Sequence, residues 1–128
     1  MTTPRFFQAL RVTIALQTAA LLIQAITAGL LLSTPDGRML HGVSALAVAV
    51  TSLLHLVAAI LVWRPGGGSA RAIPPAAMLL VFTLVQMVLG MAHMKALHVP
   101  IGVLMFGASV MQLGQIWSSP RPVTAAAA

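Results

Sequence analysis

Long apolar stretches separated by short turn signals dominate the chain. The first runs from about Phe6 to Leu32 and is broken only by Arg11 near its start. The others run from about Met39 to Trp63, from about Pro74 to Met94 and from about Leu97 to Trp117. Each is long enough for a membrane-spanning helix, which needs about 20 mostly apolar residues. The breaks carry turn chemistry: Ser33-Thr34-Pro35-Asp36-Gly37 between the first two runs, and Arg64-Pro65-Gly66-Gly67-Gly68-Ser69 between the middle pair. Only Lys95 and Ala96 interrupt the last two runs, which predicts a tight turn there. The runs are too long for strands, do not alternate, and are rich in Leu and Ala. The expected fold is all-α: a four-helix transmembrane bundle over residues 1–119, with a short flexible tail over residues 120–128.

Composition excludes the main alternatives. Of 128 residues, 59% are hydrophobic and 6% are charged; a single acid, Asp36, stands against seven bases, and there is no cysteine. Mean hydropathy is +1.01. A soluble domain carries about a quarter charged residues, so a soluble enzyme, a disordered tail and a disulfide-stapled module are excluded. The net charge of +6 does not mark a nucleic-acid binder, because the bases are scattered at segment ends and form no patch. Lipid is the partner this composition fits. Arg5, Arg11, Arg64, Arg71 and Arg121 fall on one side of the bundle, and Arg38 and Lys95 on the other. By the positive-inside rule both termini are expected in the cytoplasm of a bacterial inner membrane. Trp63 and Trp117 then sit at the cytoplasmic interface. The first apolar run exceeds a signal-peptide core and reads as a retained span.

The chain also reads as two related helical hairpins. Gln24 precedes Gly29, and Gln86 precedes Gly90. Each half then restarts with Leu-His, at Leu40-His41 and Leu97-His98, with Gly42 and Gly102 close behind. Each half ends in Trp followed by Arg and Pro: Trp63-Arg64-Pro65, and Trp117 with Pro120-Arg121-Pro122. This arrangement places His41 and His98 at one depth near the outer face, on parallel helices that lie diagonally or side by side.

Ionisable residues within spans are rare and usually functional. The spans hold histidines and no carboxylate, which argues against a proton-coupled carrier and against a mixed histidine–carboxylate metal site. Two neutral imidazoles facing each other in an apolar bundle suit the axial positions of haem iron. His41 and His98 are the candidate metal ligands; the alternative is hydrogen bonding to headgroups or loop carbonyls. His55 lies fourteen residues after His41 on helix 2, about 21 Å away and within about 40° of the same face, a spacing that would serve two haems, one near each leaflet. It is a candidate for a second haem, paired with Met111, or else a buried histidine bonded to Gln112, Gln17 or a carbonyl. His93 is a competing ligand or a propionate partner. Arg38 and Lys95 are candidate propionate cations or lipid-phosphate anchors. Gln24 and Gln86 read as helix–helix glue or as contacts to a ring or quinone edge. Met87, Met91 and Met94 follow helical spacing, as copper ligands or, more ordinarily, as packing.

These landmarks carry a resemblance. Gln86-x-x-Leu89-Gly90 followed by Leu97-His98 resembles the repeated half of haem A synthase, over roughly Leu21 to Trp117. The resemblance implies a four-helix half with haem b held by histidines on its second and fourth helices, which are His41 and His98 here. The family carries a Glu shortly before the helix 2 His, where this chain has Arg38 and no Glu anywhere, and often a loop cysteine pair that this chain lacks. Haem binding is therefore expected to carry over and the synthase activity is not. Any enzymatic activity would be a haem-dependent membrane oxidoreduction. A homodimer would restore the family's eight helices, with Gly102, Gly107 and Gly114 on helix 4 and Ala45 and Ala49 on helix 2 as close-contact positions. The expected function is that of a small cytochrome b-like protein for electron transfer or haem handling, with a quinone or respiratory redox partner. The alternative is a non-enzymatic assembly or scaffold subunit of a larger membrane complex.

Overall fold

The computed structural model describes residues 4–120; Arg121 and the rest of the tail lie outside the described residues. Four helices account for nearly all of it: α1 (Pro4–Ser33), α2 (Gly37–Trp63), α3 (Ile73–Met91) and α4 (Lys95–Ser118). There is no strand among the described residues. At about 1.5 Å per residue the helices extend about 28 to 45 Å, against a bilayer core of about 30 Å. All four are long and apolar enough to cross a membrane.

α1 packs on α2 and α4, and α3 packs on the same two helices. The pairs α1/α3 and α2/α4 make no close backbone approach and lie diagonally opposite. The topology is thus up-down-up-down with neighbouring helices antiparallel. Both described ends of the chain lie at one end of the bundle. The α1–α2 and α3–α4 turns lie at the other, called here the turn end.

The interior is small and polar. Gln17, Ser52, His55 and Ser109 are fully enclosed, whereas large side chains such as Leu32, Val43, Leu104 and Met111 point outward. Leu10, Ala58, Ala59, Val62 and Ala76 form an apolar cluster toward the termini end. Ala20, Leu21, Val48, Leu79 and Met105 form another nearer the turn end. Between them, Gln17 donates to Ser52 at 3.0 Å, Ser52 and Thr83 bond at 3.2 Å, and Thr18 and Ser109 bond at 2.7 Å. In a bilayer such interhelical bonds and close packing hold helices together, at about 0.6–2 kcal/mol per bond.

The turns explain where the helices stop. Gly37 sits against the α1 backbone, where a Cβ would collide with the carbonyl of Leu30 and the Cα of Leu31. α3 begins with Pro74 and Pro75, which the first helical turn tolerates because its N–H groups are unpaired anyway. The last turn differs from the sequence expectation. α3 ends at Met91, not Met94, and Lys95 and Ala96 already belong to α4. The break is at Ala92, His93 and Met94. Met94 N–H donates to Leu89 O at 3.0 Å and His93 N–H to Gly90 O at 3.1 Å, with His93 left-handed at φ 59°. This is a Schellman stop with histidine in the position usually held by glycine. Its residues are apolar or neutral, so hydropathy runs through the turn unmarked.

Candidate functional site

A cavity of about 680 Å³ opens at the turn end and draws its wall from all four helices. That volume falls within the range of about 300–1,000 Å³ typical of cofactor and ligand sites. His41 from α2 and His98 from α4 face each other across it. Their ring centres are 6.1 Å apart and their planes are inclined at 66°. Because α2 and α4 are diagonal, this pair bridges the bundle axis. The rest of the wall is largely apolar, including Leu21, Val48, Met87, Met105 and Phe106.

The two imidazoles are held differently. His98 lies in the first turn of α4 and its Nδ1 is 3.0 Å from the carbonyl of Gln86. A carbonyl only accepts, so Nδ1 carries the proton and Nε2 is left with a lone pair. The Gln86 side chain returns a 2.7 Å bond from Nε2 to the His98 carbonyl. Two glycines permit this clasp. A Cβ on Gly90 would stand 3.3 Å from His98 Cε1, and one on Gly102 would stand 2.9 Å from Gln86 Nε2. The Gln86 Oε1 is buried without a partner.

His41 is embedded in a ring of side-chain bonds. Gln24 Nε2 lies 3.2 Å from His41 Nε2, and Thr27 Oγ1 lies 3.4 Å from His41 Nδ1. Ser44 donates to Gln24 Oε1 and shares a 2.8 Å bond with Thr27. With Gln24 Oε1 taken by Ser44, its amide nitrogen donates to His41 Nε2 and the ring proton sits on Nδ1, facing Thr27. Both histidines therefore have Nε2 as the acceptor nitrogen, and that of His41 is already taken by Gln24. Ser44 and Thr27 were not singled out from sequence. The available signal was spacing: each follows a site residue by three positions, on the same helix face.

Of the other candidates, Arg38 and His93 line the cavity and Lys95 does not. Met87 and Met91 line it as well, while Met94 caps the start of α4. Among the small residues proposed for a dimer contact, Ala45 and Gly102 face this cavity, whereas Gly107 and Gly114 have open space beside them.

His55 is not part of this site. It is fully buried, with Nδ1 3.3 Å from Thr13 Oγ1 and Nε2 3.3 Å from Gln112 Oε1. Gln112 in turn donates to Pro75 O at 3.2 Å. Met111, its candidate haem partner, is 66% exposed on the outer face of α4, so the structure does not bring the two together.

Arg11 has a role that the sequence did not disclose. It is buried, and its guanidinium donates to Trp117 O at 3.0 Å and Ser119 O at 2.9 Å. It also lies over the rings of Phe7 and Trp117. A cation on the last carbonyls of a helix satisfies unpaired acceptors and complements the helix dipole.

The ring separation is compatible with a metal ion between the two imidazoles if Gln24 gives up His41 Nε2. A metal–imidazole bond is about 2.0–2.1 Å, and roughly 1 Å more separates each nitrogen from its ring centre, so two rings sharing one ion stand about 6 Å apart. The twist between their planes is unconstrained by a shared axis. No group of three or more His, Cys, Asp or Glu side chains suited to a metal ion occurs among the described residues. Any ion here would need its remaining ligands from a cofactor. Comparison with known proteins yields no match to a family model, to a curated protein or to a solved structure.

Proposed function

We propose that this chain is a membrane haem-b-binding protein, a small cytochrome b-like bundle with His41 and His98 as axial ligands. The observation that carries the reading is the His41–His98 pair, 6.1 Å apart across an apolar cavity. The unprotonated Nε2 of His98 and its Nδ1–H bond to a carbonyl support it, because second-shell bonds of this kind orient metal-ligating histidines. When bound, haem supplies one-electron redox chemistry. The chain's own residues would orient the ring, exclude water with apolar side chains, and offer Arg38 at the cavity wall as a partner for carboxylates.

The excess of Arg5, Arg11, Arg64 and Arg71 at the termini end, against Arg38 and Lys95 at the turn end, supports cytoplasmic termini and a site near the outer face of a bacterial inner membrane. A homodimer would use the open face around Gly107 and Gly114. A respiratory partner or a quinone would exchange the electrons.

The test is the pyridine haemochrome of detergent-purified protein expressed with added haem. Haem b at about one per chain supports the reading. A protein that stays colourless and co-purifies with another membrane protein contradicts it and favours the scaffold alternative.

A further inference from the structure

The two histidines that face each other across the cavity are not equivalent, and their difference follows from which nitrogen each neighbour occupies. His98 is clasped from both sides by Gln86, through its ring Nδ1–H and its own carbonyl, at 3.0 and 2.7 Å. No group among the described residues bonds its Nε2, so coordination there costs no existing hydrogen bond. His41 differs on each point. Its Nε2 already accepts from Gln24 at 3.2 Å, and Gln24 is itself anchored by Ser44. The Ser44–Thr27 bond at 2.8 Å closes the ring of contacts around it. A metal taken up by His41 must displace the Gln24 amide, and the amide recovers its acceptor whenever His41 lets go.

We propose, resting on the haem reading above, that His98 is the fixed ligand and His41 an exchangeable one, with Gln24 as its competitor. The coordination position on the His41 side is then a binding site for a small neutral diatomic ligand, of which carbon monoxide is the probe. In the exchange His41 Nε2 would give up the position it holds on the bound group and carbon monoxide would take it. His41 Nε2 accepts the Gln24 N–H again, and no electron or proton is gained or lost. The apolar wall favours such a ligand, because a neutral diatomic needs no hydrogen-bond partner. Gln24 thus acts as a positioning residue for ligand exchange, through its bond to His41.

The experiment is a carbon monoxide titration of the haem-loaded, dithionite-reduced protein in detergent, followed by its Soret band. The wild type is expected to bind one carbon monoxide per haem. Gln24→Leu, which frees His41 to hold its ligand, is expected to weaken carbon monoxide binding about five-fold, the ratio given by one neutral hydrogen bond of about 1 kcal/mol. Haem retention through gel filtration supplies a second reading that does not depend on that variant. His41→Ala is expected to keep its haem as a five-coordinate, high-spin species, and His98→Ala to lose it. A haem-loaded wild type that binds no carbon monoxide at saturation overturns the exchange while leaving the haem reading intact. So does an unchanged affinity in Gln24→Leu, or equal haem loss in the two alanine variants. A wild type that takes up no haem overturns both.

Discussion

His98 and Gln86 are bound to each other twice: the imidazole Nδ1 donates to the Gln86 carbonyl at 3.0 Å, and the Gln86 amide donates to the His98 carbonyl at 2.7 Å. The clasp fixes one ring in one tautomer at the wall of the cavity. It exists because Gly90 and Gly102 keep two helices close where any side chain would intrude. Gly90→Ala places a methyl 3.3 Å from His98 Cε1, so the ring must give by a few tenths of an ångström. The expected outcome is a perturbed low-spin haem spectrum with helical circular dichroism retained. Retention of the wild-type spectrum would show that the glycine is not setting the ring.

Arg11 joins the first helix to the last. Its two bonds to Trp117 and Ser119 carbonyls are charge-assisted, and hydrogen bonds to charged groups contribute about 1.5–3 kcal/mol each. Arg11→Leu is expected to lower stability in detergent by about 3 kcal/mol, the lower end of that scale for two bonds. Arg11→Lys should recover only part of it, since an ammonium lacks the planar fork. Thermal unfolding of the three proteins under one detergent condition measures both effects.

The helices were legible because apolar runs of this length have few other uses, and the approach of His41 to His98 because both lie in the opening turns of α2 and α4, at one end of the bundle. The break between α3 and α4 was not, since Ala92, His93 and Met94 carry no hydropathy signal and the stop lies in backbone geometry. Arg11 counts in the sequence only as one cation of the termini side, because its partners are carbonyls 106 and 108 positions away. Main-chain acceptors have no sequence signature. The hydroxyls of Ser44, Ser52, Thr27 and Thr83 escaped notice for a related reason: a Ser or Thr in an apolar helix reads as neutral until its partner helix is known.

His93 holds a left-handed conformation at φ 59°, which costs a side-chain-bearing residue about 1–2 kcal/mol and glycine almost nothing. His93→Gly is therefore expected to raise stability, by roughly 1 kcal/mol, without loss of haem. A fall in haem content would instead assign His93 a direct part in holding the cofactor. Haem content and melting temperature, measured on the same preparation, separate the two.

His55 is satisfied at both nitrogens by Thr13 and Gln112. Removing its ring leaves Gln112 Oε1 without a donor in a buried site, a cost of about 1–3 kcal/mol. His55→Ala is expected to be less stable by about that amount, with the haem-to-chain ratio unchanged at about one. A ratio that falls from two to one would place a second haem at His55.

Haem binding as proposed requires two imidazoles to share one iron. Electron paramagnetic resonance of the oxidised, haem-loaded protein reads that coordination directly. The predicted result is the low-spin ferric signal of a bis-imidazole haem in the wild type, absent from both His41→Ala and His98→Ala. A high-spin signal in the wild type, or a low-spin signal that survives in both variants, would contradict it.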